Sequence, residues 1–515
     1  MNNFDLDNTL IEFHTASGLS PWTIRNAVEG VQIFGGIGSG KTSGSGRLIA
    51  LKFLNNGFGG LVLTAKPDER ILWTEYCKQT NRLNDLIIIE PNGKNIFNFL
   101  DFEYKNSSLL NNSTDNIVQV LKTVIRAGEE KSASKSDDPF WESALDMLLC
   151  SIIDLCILAY NKLSIRDVFE VVQTIPKYED VLKAEMASKN KDGNKKAEEE
   201  EAEETAYTKA YKAAQNKVLA QVDAWRDAQP PEIVEKLREG NAMEEAIDSN
   251  IPDARLFRDL AHFFKEQYIP LSEKTRSIVD FSFTAFLSRF LRDPIYSTFC
   301  KETSNVTPND SLNGKIILID FPVKKFHKIG HDVQILFKYI WQRAMEKRDI
   351  NQNPRPVFLW ADEAQNFLHE HDADYQATAR SSKIATVYIS QNLPNYYANM
   401  GGGKAEYKVK SFLGTLGTKI FHANADIVTN NYASELIGEA EAESTSETDT
   451  VGDSLSHGET RSISFQKRLR PESMIRLRTG GPQYNFIVDG ILHHQGRLFI
   501  NNKGKGYAKI AFSQK

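Results

Sequence analysis

Short apolar runs bounded by turn residues recur in two blocks of the chain. The first block holds Val31–Phe34, 61–64 and Leu86–Ile89; the second holds 315–321, 356–361, 385–390 and 417–422. The runs lack a sustained apolar-polar alternation. Each therefore predicts a strand covered on both faces, and together they predict a mainly parallel sheet in an α/β domain. Between the blocks the period becomes helical. Ile117, Val118, Val120, Leu121 and Val124 make one stripe, and Phe140, Trp141, Ala144, Leu145, Leu148 and Leu149 make another. One sheet is thus interrupted by a large all-α insertion.

Punctuation refines this division. Residues 1–30 form an N-terminal strap, with Pro21-Trp22 and Arg25 ahead of the first sheet strand. Residues 31–105 make the first α/β part, 106–305 the all-α insertion and 306–515 the second α/β part. The soft segment 129–138 predicts an exposed loop. The charge run 189–204 (KNKDGNKKAEEEEAEE) predicts a solvated helix or mobile linker, with a binding tail as the alternative. A helical hairpin is expected to continue through 206–225, and 250–252 and Pro270 mark breaks. The acidic, Ser/Thr-rich segment 439–462 predicts a flexible loop.

Composition narrows the class. Of 515 residues, 41% are hydrophobic and 25% charged, as in an ordinary globular protein. The net charge of −6 gives no overall basic surface, so any nucleic-acid contact must come from a local patch. The four cysteines, Cys77, Cys150, Cys156 and Cys300, form no CxxC pair, which argues against zinc and suits a reducing cytoplasm. The opening residues are acidic and lack the apolar core of a secretory leader. The longest apolar stretch, 147–160, carries Asp154 and follows Asp146; it reads as a buried helix rather than a bilayer span. No membrane-spanning segment is expected, and the localisation implied is cytoplasmic.

The strand Val31–Phe34 runs into GGIGSGKT, residues 35–42, and then into a small-residue helix start. This is the phosphate-loop pattern. Gly35, Gly36, Gly38 and Gly40 allow close approach of backbone to an anion, and the amides of Gly35, Gly36, Ile37, Gly38, Ser39 and Gly40 can form a nest at a helix N-terminus. Lys41 can reach outer phosphates and Thr42 can hold a magnesium ion, so ATP with Mg2+ is the expected cofactor pair. A second motif lies about 320 residues on, where 357–361 run into Asp362-Glu363. Asp362 at a strand end can hold the metal, and Glu363 can orient and deprotonate a water. Gln391, at the end of the next strand, suits a γ-phosphate sensor, with a capping amide as the bland reading. Arg380 suits an arginine finger supplied by a neighbouring subunit, with a surface salt bridge as the alternative. His369 and His371 form an HxH pair without a clear third ligand and read as exposed polar surface.

These residues resemble the TraD/TraG-type coupling ATPases of conjugation and type IV secretion, in the FtsK/HerA superfamily of ring motors. The resemblance runs from about 31 to 490. It is carried by GGIGSGKT, by GGLVLTAKPDER, by FNFLDF at 97–102 with Phe99 in the usual place of a proline, and by DPFWESA at 138–144. EKTRSIV, FLSRFLRDPI, the Asp362-Glu363, Arg380 and Gln391 positions, and the closing segments GTKIFHANADIVTNNYASELIGEAE and KRLRPESMIRL complete it. It implies a RecA-like P-loop domain with an inserted helical domain, assembled as a hexameric ring with ATP at subunit interfaces. It assigns nucleotide and metal binding to Lys41 and Thr42, metal to Asp362, base to Glu363, a finger in trans to Arg380 and a sensor to Gln391.

Coupling proteins usually begin with transmembrane helices, which are not expected here. Either a partner recruits this chain to the inner membrane, or it has another job. Three functions are open at this point. One is a DNA-translocating ATPase serving a relaxase or secretion channel. The second is a HerA-like translocase paired with a nuclease in repair or phage defence. The third is a nucleotide-dependent adaptor for protein cargo. Basic candidates for DNA contact are Lys324, Lys325 and Lys328, a loop at 400–410 with Lys404, Lys408 and Lys410, and Lys131 with Lys135. The cluster Lys467, Arg468, Arg470, Arg476 and Arg478 suits DNA or a subunit interface.

Overall fold

The computed structural model describes residues 4–15, 18–108, 113–129, 139–189, 204–237, 241–301, 303–369, 371–400, 405–451, 455–497, 499 and 506–515. The expected loop at 130–138, most of the charge run at 190–203, and Lys131, Lys135 and Lys404 lie outside these. The chain folds as two units. One comprises Met1–Glu90, Arg126–Ser134 and Pro308–Lys515; the other comprises Pro91–Ile125 and Lys135–Thr307.

The first unit is built on strands β1 (Thr9–Thr15), β2 (Gly18–Thr23), β3 (Val31–Phe34), β4 (Gly59–Leu63), β5 (Leu86–Ile89), β6 (Ile316–Ile319), β7 (Val357–Asp362), β8 (Ile384–Ser390), β9 (Thr418–Phe421), β10 (Glu439–Val451), β11 (Leu455–Lys467), β12 (Ile487–His494) and β13 (Tyr507–Ser513). Nine of them form one sheet in the order β13-β12-β9-β3-β8-β7-β4-β6-β5. From β9 to β5 every pairing is parallel; β12 and β13 extend the edge antiparallel. Every residue of β3, β6, β7 and β8 is buried, which is why their sequences carry no polar face. In β13, Ala508, Ile510 and Phe512 are buried while Lys509, Ala511 and Ser513 are exposed, the alternation of an edge strand with one wet face.

The N-terminal segment is a β1–β2 hairpin rather than a loose strap. Leu10, Ile11, Phe13 and Trp22 join the core with Phe53, Val488 and Phe512, and the Trp22 indole donates to Thr418 Oγ1 at 3.2 Å. In the segment 439–462, expected to be a flexible loop, residues 439–451 and 455–462 instead lie in an antiparallel ladder in which β10 pairs with β11, and 452–454 lie outside the described residues. Polar residues on both faces hide the strand period from a hydrophobic reading. Thr445 and Ile463 supply β-branched side chains that fit an extended backbone. The expected loop at 400–410 is also corrected, because Lys408 and Lys410 stand on helix Ala405–Gly414, where Lys410 pairs with Glu406 one turn away. Lys324, Lys325 and Lys328 lie exposed around a break at His327 (φ 49°, ψ −127°) in helix Val323–Glu346.

The second unit is helical. Helix Pro139–Tyr160 buries Leu148, Leu149, Ile152, Ile153, Leu155, Cys156 and Leu158, packed against helices Ile165–Gln173, Ala206–Asp227 and Pro252–His262. Helix Ser113–Glu129 buries Ile117, Val118, Val120 and Leu121. The side chains of Val124, Phe140 and Trp141 are outside the described set. The sequence breaks at 250–252 and Pro270 fall between helices Ala242–Asn250 and Pro252–His262 and ahead of helix Glu273–Phe290. Within helix Pro139–Tyr160, Ser143–Tyr160 is long and apolar enough to cross a membrane by length and composition alone. The stretch is therefore longer than its sequence reading of 147–160. Its residues 148–158 pack within the helical unit.

Candidate nucleotide site

Strand register brings the motifs together. Phe34 of β3 pairs with Ser390 of β8, Ile389 of β8 pairs with Asp362 of β7, and Ala361 of β7 pairs with Leu63 of β4. Because these strands are parallel, the residues that follow them emerge at one edge of the sheet. They are Gly35 onward, Gln391, Glu363 and the segment 64–69. The strand bearing Gln391 lies between those bearing the phosphate loop and Asp362.

Gly35 N donates to Ser390 O at 3.3 Å and Gly36 N to Ala423 O at 2.9 Å, tethering the loop to its two neighbouring strand ends. Gly38 (φ +71°) and Gly40 (φ +79°) occupy the left-handed region. A Cβ on Gly40 would come within 2.4 Å of Val488 Cγ2. Residues Thr42–Gly46 form a wide helical turn, in which Gly46 N reaches Lys41 O at 2.9 Å, and this runs directly into helix Arg47–Asn55. Ile37 is exposed at the loop tip. Ser39 is buried, and its Oγ has no hydrogen-bond partner among the described residues.

Lys41 is 8% exposed; burial lowers its pKa, while Asp362 and Glu363 pull it back up. The Thr42 hydroxyl donates to Asp362 Oδ2 at 2.9 Å. Asp362 is buried. Burial raises its carboxyl pKa, against the attraction of Lys66 and Lys41. A small cavity is lined by Thr42, Glu69, Tyr76, Trp360 and Asp362. Glu69 is buried there with Oε1 unpartnered among the described residues. The remaining lining of that cavity, Leu63, Leu72 and Trp73, is apolar, so the part that fits a hard divalent cation such as Mg2+ is the Thr42 hydroxyl beside the Asp362 carboxylate. The glycine cradle, Lys41 and the orphaned Ser39 hydroxyl fit a polyphosphate.

Glu363 adopts the left-handed conformation (φ 51°, ψ 48°), which a non-glycine residue holds only when its surroundings force it. Its backbone N donates to Asp362 Oδ1 at 2.9 Å. Its carboxylate accepts from Lys66 Nζ at 3.0 Å, Gln365 Nε2 at 2.9 Å and Gln391 Nε2 at 3.1 Å. Burial would raise this carboxyl, but these donors outweigh it and hold the pKa down at about 2. Ser390 Oγ donates to Gln365 Oε1, holding that side chain, and Asn424 Nδ2 donates to the Gln391 backbone O. Behind the loop, His422 bridges Ser45 Oγ (2.7 Å) and Asp489 O (2.8 Å).

Lys41, Thr42, Asp362, Glu363 and Gln391 are therefore gathered at one edge, and Arg380 is not. Arg380 follows helix Asp372–Ala379 and precedes β8, where its exposed guanidinium lies 3.4 Å from Glu29. The strand β8, seven residues from Ile384 to Ser390, runs from the neighbourhood of Arg380 to the phosphate edge, about 20 Å at the rise of an extended strand. His369 corrects the expectation of an exposed HxH pair. It is buried against Tyr339, beside an ion pair in which Lys338 Nζ lies 2.6 Å from Asp372 Oδ2, with both side chains fully buried. Among the described residues no group of histidine, cysteine and carboxylate side chains could hold a metal by that chemistry alone. Lys66, Gln365, Ser390 and Asn424 were not singled out as site residues. Of these, Lys66 stood in the quoted motif GGLVLTAKPDER and Asn424 in GTKIFHANADIVTNNYASELIGEAE.

Residues 356–477 match the family described as the TraM recognition site of TraD and TraG. No curated protein shows significant sequence similarity to the chain. Among solved structures, the unbound bacterial conjugative coupling protein TrwBΔN70 matches 98% of this chain and 88% of its own, at 12% identity and a TM-score of 0.53. The plasmid coupling protein TrwB with the non-hydrolysable ATP analogue ADPNP matches over 98% and 89%, at 12% identity and a TM-score of 0.55. TrwB with ADP and Mg2+ matches over 96% and 87%, at 12% and 0.54. By sequence in residues 356–477, and by fold over nearly its whole length, the chain is similar to the TraD/TraG-type coupling proteins.

Proposed function

We propose that this chain is an ATP-hydrolysing motor of the coupling-protein type, which translocates or recruits DNA for conjugative transfer. The carrying observation is the meeting of phosphate loop, Asp362-Glu363 and Gln391 on adjacent strand ends. The 35–42 amides and Lys41 bind the phosphates, Thr42 and Asp362 hold Mg2+, Glu363 orients and deprotonates the attacking water, and Gln391 reports the γ-phosphate. The metal, when bound, neutralises charge on the phosphate oxygens. Arg380, too far to serve its own phosphate loop, acts on a neighbour's in a ring assembly, a hexamer by analogy with the family. TrwB's structures with ADPNP, and with ADP and Mg2+, support this choice of cofactors. The matched description, naming TraM recognition, supports a relaxosome-type partner. The test is ATP turnover with and without DNA. DNA should raise the rate, and Lys41→Ala should abolish it; a wild-type rate indifferent to any DNA would count against the motor reading.

A further inference from the structure

The segment 64–69 leaves β4 at the edge that carries the site, and the functional reading gives Lys66 no task. Its backbone is fixed from several sides. Thr64 N donates to Gln334 Oε1 at 2.6 Å and Thr64 Oγ1 to Ile319 O at 2.7 Å. The buried Glu69 carboxylate accepts from Ala65 N at 2.7 Å. An acidic side chain buried to brace one turn makes sense if the turn must aim something. What it aims is Lys66, whose Nζ sits 3.0 Å from Glu363 Oε1 with its side chain about a third exposed.

Two lysines therefore face one phosphate-binding edge, Lys41 from the loop and Lys66 from across it, close enough to repel each other's charge. Glu363 meanwhile accepts from three side-chain donors. A general base needs an oxygen free to face water, so at least one donor must let go. The Gln365 side chain is held by Ser390 and the Gln391 backbone by Asn424, whereas Lys66 ends in a flexible four-carbon stem. A terminal phosphate offers an ammonium more charge and more acceptor oxygens than one carboxylate.

We propose that Lys66 is a second phosphate-binding lysine, which contacts the terminal phosphate of a bound triphosphate and, by moving to it, frees Glu363. The inference rests on the reading of 35–42 as a nucleotide site. It makes Lys66, alongside Gln391, a residue that tells triphosphate from diphosphate.

The experiment is calorimetric titration of the full chain, in Mg2+, with ADP and with ADPNP. Wild type, Lys66→Ala, Lys66→Met, Lys66→Arg and Lys41→Ala are compared. Both neutral Lys66 variants should bind ADP within about twofold of wild type but lose roughly tenfold or more of the preference for ADPNP, the size of a charge-assisted contact. Lys66→Arg should recover part of that preference. An unchanged ADPNP-to-ADP ratio in Lys66→Met would overturn the proposal. So would faster hydrolysis at an unchanged ratio, which would make Lys66 only a restraint on Glu363. Failure of the nucleotide reading looks different, since Lys41→Ala would then bind both nucleotides as wild type does, and the proposal would fall with it.

Discussion

Glu363 combines a left-handed backbone, a buried carboxylate and three side-chain donors, while the neighbouring Asp362 shares its charge with Thr42. Strain and dense hydrogen bonding of this kind collect where geometry matters more than stability. Gly40 shows the same demand in the backbone. Its φ of +79° and the approach of Val488 leave no room for a side chain. Gly40→Ala is expected to cost about 1–3 kcal/mol in a urea melt and to weaken nucleotide binding more than tenfold in the same titration that measures ADP. Sequence alone exposed these residues because phosphate binding restricts residue types at fixed spacing. It did not expose Lys66, Gln365 or Asn424 as site residues, since their roles come from register between distant strands. Arg380 was legible only as a candidate, because an arginine's partner is set by packing.

At the scale of elements, the strands buried on both faces were plain in the sequence, since β3, β6, β7 and β8 are buried at every residue and need apolar runs. Elements with a wet face or two polar faces were not. β10 and β11 have too little apolar contrast to show a period, and β12 and β13 pair antiparallel at the edge. The helical unit carries a different kind of signal, an acid inside an apolar helix. Burial pushes the Asp154 carboxyl up to about 6; the Thr114 hydroxyl, which donates to it, opposes this, and Asp115 adds to it. A raised folded pKa means the neutral acid is the favoured form. Its contribution is complete below the ordinary aspartate value near 4 and is lost as pH rises through about 6. Asp154→Asn should therefore stabilise the chain by about 1–3 kcal/mol at pH 8 and by almost nothing at pH 4. Urea melts at the two pH values decide it; equal gains at both would show that the charge is not the cause.

For the whole molecule, the account joins a complete phosphate edge to an arginine that cannot reach it within one chain. That arrangement predicts complementation. Arg380→Ala and Lys41→Ala chains should each be nearly inactive, and an equal mixture should recover hydrolysis, because the second supplies an intact Arg380 to the first's intact loop. Mass photometry can establish that the chains co-assemble. Co-assembly without recovery would remove Arg380 from the reaction. Independently of the ring, the proposed function depends on Glu363 activating water for ATP hydrolysis at this edge. Its most direct test is steady-state ATP turnover by Glu363→Gln with saturating Mg2+ and DNA, alongside ADPNP binding. The account predicts turnover at least about a hundredfold below wild type with binding retained; turnover at the wild-type rate would contradict it.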